Sequence, residues 1–292
     1  FLDPVTRFLL PAIGGAGIGL AYWLLPQAQT TLGIVHVLER LHYHQGHMPW
    51  RNVVLQFVGG AIALASGQSV GREAPSVHLG AGVASLLGKR LRLPNNSVRT
   101  LVACGSAAAI AASFNTPLAG VVFAMEVIMV EYTIAGFVPV ILAAVAATAI
   151  TRAMFGAETA FLVPLFGLAS LWELAYITFM GCIIRVISAA FAKSVRLVAR
   201  TLGALPVMLQ LAVAGCLVGG IAVFVPQIMG LGYDTAEIAL GGRLTLTTLL
   251  LILVAKFIAS VVCTAVRMPG GLIGPTVVMG CLLGSLFAKS VG

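Results

Sequence analysis

Gly71-Arg72-Glu73-Ala74-Pro75 and Pro269-Gly270-Gly271-Leu272-Ile273-Gly274-Pro275 interrupt apolar segments, and each stands just before an apolar run able to start a helix. A helix that begins inside a bilayer leaves its first backbone N–H groups unpaired, and lipid cannot satisfy them. A bound anion can, because both the N–H groups and the helix dipole favour negative charge. The two breaks therefore point to anion handling within a membrane.

The composition places those breaks in a bilayer. The chain has 292 residues, 60% hydrophobic and 9% charged, with a mean hydropathy of +1.06. A soluble domain carries about 25% charged residues. The net charge of +8 collects in connecting segments: Arg40 and Arg51; Lys89, Arg90, Arg92 and Arg99; and Lys193, Arg196 and Arg200. Such clusters mark cytoplasmic loops beside headgroups, which argues against nucleic acid as a partner. The five cysteines stand singly in apolar stretches and read as small hydrophobes. Phe1 stands where an initiator Met would, and the chain stops shortly after an apolar run, so it reads as part of a longer protein, incomplete at both ends.

Apolar segments fall near 8–25, 52–70, 76–88, 100–113, 117–130, 134–150, 174–192, 207–225, 246–266 and 276–288. A spanning helix needs about 20 residues, and 76–88 and 117–130 are too short. Short pieces of this kind are expected as broken or re-entrant helices meeting near the midplane. If the basic stretches 40–51 and 89–99 share the cytoplasmic side, segment 52–70 crosses and 76–88 returns only about 20 Å. The chain must then dip inward at 71–75, carrying Glu73 below the outer surface. The run Val102–Ala119, rich in Gly, Ala and Ser, is expected to serve close helix packing.

Glu73 is a carboxylate in an apolar setting, so it pairs, protonates or lines a wet cavity. Adjacent Arg72 does not face it on a helix, which leaves a salt bridge elsewhere as the plain structural alternative. The functional reading is that the Glu73 carboxylate competes with an anion for the same N–H-lined site. Pro75 and Pro275 suit a first helical turn, where a missing N–H costs nothing. Gly270 and Gly271 permit close backbone approach. Two helix N-termini together offset roughly one negative charge, which favours a monovalent anion.

These residues resemble the CLC family of voltage-gated chloride channels and chloride–proton antiporters. Gly71–Pro75, followed by Ser76-Val77-His78-Leu79-Gly80, is similar to the family's GREGP element. Phe114-Asn115-Thr116-Pro117-Leu118-Ala119-Gly120 with Glu126 matches its next motif, and Pro269–Pro275 its GxFxP element, with Ile273 at the aromatic position. The resemblance implies an all-α, polytopic membrane fold with inverted repeats and re-entrant helices over residues 1–292. It also implies a multi-pass location in a bacterial inner membrane and a homodimer with one anion pathway per subunit. Chloride enters as substrate, and no cofactor is implied. Glu73 is then the gate. The anion-binding set comprises Gly71, Arg72, Glu73, Ala74 and Pro75, with Gly270, Gly271, Leu272, Ile273, Gly274 and Pro275. Leu32 and Gly33 join it from Thr31-Leu32-Gly33-Ile34-Val35, which aligns by spacing with the GSGIP element.

Four departures bear on mechanism. Leu32 replaces a serine and brings no hydroxyl, with Thr31 beside it. Ala74 replaces a glycine of GREGP. Val127 stands at the family's inner proton-relay glutamate, with Glu126 just before it as a displaced candidate or simply a vestibule residue. The family's pore tyrosine and any C-terminal regulatory domain lie beyond the chain. Val127 favours channel-like or weakly proton-coupled chloride movement. The alternatives are proton-coupled chloride or fluoride antiport and, from another class, an intramembrane metal-dependent hydrolase built on His36, His42, His44 and His47. Those histidines read more simply as a solvated turn, and His78 as a helix-face residue near the pathway.

Overall fold

A computed structural model describes residues 3–25, 32–131, 133–156 and 172–291, and Thr31 lies outside them. In chain order the helices are α1 (Pro4–Trp23), α2 (Gly33–Tyr43), α3 (Trp50–Ala65), α4 (Glu73–Arg90), α5 (Asn95–Phe114), α6 (Pro117–Phe123), α7 (Ile134–Phe155), α8 (Trp172–Leu202), α9 (Val207–Phe224), α10 (Tyr233–Leu240), α11 (Leu246–Ala265) and α12 (Ile273–Val291). Among the described residues, seven helices are long and apolar enough to cross a membrane. The fold is all-α, and its extended pairing among those residues is one isolated antiparallel bridge, Gly71 to Gly271.

That bridge joins two copies of one local design, related residue for residue 200 positions apart. Helices α3 and α11 end at Ala65 and Ala265. Both turns pass through positive φ, at Gly67 (76°) and Arg267 (55°), and both close with a bond back into the helix, Gln68 N–H to Ala63 and Met268 N–H to Cys263. The chains meet at the Gly71–Gly271 bridge, and α4 and α12 start two residues later, with Pro75 and Pro275 in equivalent first turns. The same offset relates the partners α1 and α9. A Cβ on Gly15 would collide with the Leu211 carbonyl, and one on Gly215 with the Pro11 carbonyl; Gly19 and Gly219 are similarly crowded against Met208 and Phe8. Small residues four apart on both helices thus let two backbones touch, which is how membrane helices gain packing without a hydrophobic drive.

The small-residue run does the same for α5. Gly80 of α4 and Gly105 of α5 each face the other's carbonyl so closely that a Cβ on either would overlap it. Asn115 ends α5 in the left-handed region (φ 58°), and its Oδ1 accepts from Arg152 Nε at 2.7 Å. Pro117 then opens α6, which runs into a π-helical turn over Ala124–Met129. Segment 117–130 is short because it is split in this way.

Segment 76–88 differs from expectation. Its helix, α4, has 18 residues rather than the shorter apolar run, because Glu73 begins it and Lys89 and Arg90 end it. The inward dip is nevertheless present: Gly71, Glu73, Ala74 and Pro75 are all buried. The core divides into three clusters. One joins α1, α3 and α9–α12, a second joins α5–α7, and a third gathers α2, α4, α5 and the π-turn.

Candidate functional site

Two helix starts converge where the repeats meet. Gly71 N–H donates to the Gly271 carbonyl and Gly271 N–H to the Gly71 carbonyl, both at 2.6 Å. These two glycines therefore spend their N–H groups on each other and shape the corner. Pro75 and Pro275 have no N–H to offer. Ser76 and Thr276 N–H groups already bond to the Arg72 and Leu272 carbonyls. The first-turn amides with no carbonyl one turn before them in the same helix are thus those of Glu73 and Ala74 in α4, and of Ile273 and Gly274 in α12.

The Glu73 side chain is fully buried in this corner. Its Oε1 accepts a hydrogen bond from Tyr233 Oη at 2.8 Å, and Oε2 has no partner among the described residues. Glycines wall the carboxylate. A Cβ on Gly71 would overlap Oε2, one on Gly271 would stand 2.8 Å from it, and one on Gly274 would stand 3.2 Å from Oε1. The carboxylate thus lies against the opening residues of α12, where the helix dipole favours negative charge. Arg72 turns the other way and its Nη2 donates to the Ser113 carbonyl near the end of α5. Among the described residues Glu73 has no ion pair, so a hydroxyl rather than a cation answers the salt-bridge alternative.

Beside this corner is a cavity of about 500 Å³. It gathers Leu32 and Gly33 from the start of α2, Ala74 from α4, and Gly270, Gly271 and Leu272 ahead of α12, with Gln56, Val70, Arg267 and Met268. Glu73 does not line it, but Ala74 and Gly271, which adjoin the carboxylate, do. Three separate stretches of the expected set therefore meet around one space, and Ile273, Gly274 and Pro275 form the turn behind Leu272.

Glu126 sits on the π-turn with an exposed side chain, as does Val127. Glu131 lies 3.6 Å from Arg99 across a part-exposed ion pair. The histidine cluster divides: His42 and His44 are exposed, whereas His36 is buried and its Nδ1 lies 2.8 Å from His78 Nε2 in a stacked pair. Among the described residues no group of three or more His, Cys, Asp or Glu side chains could hold a metal.

Three residues escaped the sequence reading. Tyr233 reaches Glu73 from 160 positions away. Gln56 caps α2, its Oε1 accepting from Gly33 N–H at 2.7 Å. Lys256, fully buried on α11, donates to the Ile228 and Gly230 carbonyls at 2.9 and 2.8 Å. Gln56 and Lys256 are equivalents under the 200-residue offset, and both are polar residues in apolar helices, which was the available signal.

Residues 14–292 match the family described as Voltage gated chloride channel. A putative chloride channel protein ClcB-like of Ralstonia nicotianae is 33% identical over 98% of this chain and 68% of its own length. An H(+)/Cl(-) exchange transporter ClcA of Vibrio campbellii is 28% identical over 95% of this chain and 62% of its own. The chain thus spans about two thirds of these relatives. Among solved structures, a slow cyanobacterial Cl-/H+ antiporter superposes with a TM-score of 0.86 at 22% identity, over 99% of this chain and 70% of that one. A CLC-type fluoride/proton antiporter gives 0.73 at 22%, over 98% and 80%. At that identity the structural likeness is one of fold.

Proposed function

This chain belongs to the voltage-gated chloride channel (CLC) family, and on that premise we propose that it moves chloride across a membrane in exchange for protons, with Glu73 as the group both ions use. The observation that carries the reading is the Glu73 carboxylate, buried against the start of α12 with Tyr233 Oη on one oxygen and glycine walls around the other. A negatively charged group already occupies a place that suits an anion. When the carboxylate is ionised it fills that place; when protonated or swung aside it leaves the α4 and α12 amides to a chloride ion. One site serving two ions in turn is what exchange requires.

Val127 argues for channel-like movement, as does the name of the ClcB-like relative, a putative chloride channel protein, whereas ClcA is named as an H(+)/Cl(-) exchange transporter. Exchange is the better-supported reading, with Glu126 as the candidate inner relay and a homodimer in a bacterial inner membrane as the assembly. The test is purified protein in liposomes, with chloride and pH electrodes read together. Exchange predicts that a chloride gradient drives protons uphill in a fixed ratio; chloride flux without proton movement would return the protein to the channel reading. Replacing Glu73 by Gln is expected to abolish proton movement and leave chloride flux.

A further inference from the structure

Gln56 is fully buried on α3, and its amide orientation is settled by what it touches. Gly33 N–H can donate only to the carbonyl oxygen, so Oε1 faces α2 and Nε2, with its two N–H groups, faces elsewhere. Nε2 is buried and has no partner among the described residues. The large majority of buried side-chain polar atoms in folded proteins are paired, so a bare donor beside a cavity is a candidate ligand group. Gln56 lines the cavity that Leu32, Gly33, Ala74 and Leu272 share. Leu32, on the first turn of that wall, supplies no side-chain donor.

The other half of the molecule sharpens the point. Lys256, the equivalent of Gln56, gives its hydrogens to two backbone carbonyls and holds the turn before α10. Gln56 holds the start of α2 through its oxygen, and among the described residues its two hydrogens meet no acceptor. The position is structural in one repeat and half-committed in the other.

We propose that Gln56 Nε2 donates a hydrogen bond to the transported anion in the cavity between the starts of α2 and α12, and so sets preference among monovalent anions by their strength as hydrogen-bond acceptors. This rests on the anion-transport reading above and adds a ligand to it. A neutral amide attracts a compact, strongly accepting halide without the hold of a full charge, so the ion can leave again. A weak acceptor such as thiocyanate gains less from the same donor.

Calorimetric titration of the purified full chain with chloride and with thiocyanate tests this, using Gln56→Met, close in shape but with neither amide function. The expected result is a fall of roughly tenfold in the ratio of chloride to thiocyanate affinity, equivalent to about 1.4 kcal/mol. A purely capping role would lower the melting temperature and leave that ratio where it was, overturning the proposal. Gln56→Glu keeps the acceptor for Gly33 N–H and removes the amide donor, so it serves if the Met variant does not fold. Its carboxylate repels both anions alike, and the ratio is again the reading. Wild-type protein that binds neither anion would overturn the transport reading itself, whereas wild-type binding with an unchanged ratio in the variants overturns only the role of Gln56.

Discussion

Tyr233 is the residue that ties the Glu73 carboxylate down. A hydroxyl donating to a carboxylate inside a protein contributes about 1.5–3 kcal/mol, and the 2.8 Å bond from Tyr233 Oη is the polar contact that holds Oε1. Tyr233→Phe keeps the ring and releases the carboxylate, so chloride flux should rise several-fold with the exchange ratio unchanged. Slower flux in that variant would mean that the hydroxyl supports the open state instead. Glu73 was legible in the sequence because a lone carboxylate in an apolar run is conspicuous. Tyr233 was not, because a tyrosine at a helix start is ordinary and its partner is set by tertiary contact alone. Gln56 is inconspicuous for a related reason: one neutral amide in α3 costs too little to stand out, and its importance comes from the Gly33 N–H it meets.

Among the elements, the breaks were readable and their extents were not. Gly and Pro at 71–75 and 269–275 marked both interruptions, and both helices start there. The apolar run is shorter than α4 because hydropathy stops at charged residues, whereas the helix continues through Lys89 and Arg90. Small residues told more about packing than the apolar pattern did. At the α1–α9 contact, Gly215→Ala places a methyl against the Pro11 carbonyl, and Gly15→Ala does the same against Leu211. Each should destabilise the protein by about 1–3 kcal/mol through forced backbone separation, seen as a lowered melting temperature in detergent. Gly17→Ala on the same helix meets open space and should melt as wild type. A uniform response at all three positions would show that the crossing is not the tight point.

Over the whole molecule, function follows from repetition. One helix start inside a membrane gives about half a positive charge, and two meeting at a corner offset about one negative charge. The 200-residue offset brings the second start to the first, and the Gly71–Gly271 bridge fixes them together. Gly71→Ala, whose methyl overlaps Glu73 Oε2, is expected to expel the carboxylate and depress proton movement far more than chloride flux in the liposome assay. The central claim is that the Glu73 carboxylate occupies the place an anion takes when the gate is cleared. Bromide-soaked crystals of wild type and Glu73→Ala, compared by anomalous diffraction, test it most directly. The account predicts a bromide peak in the variant between the first turns of α4 and α12, at the position of the missing carboxylate and weaker or absent there in wild type; a variant corner empty of bromide would contradict it.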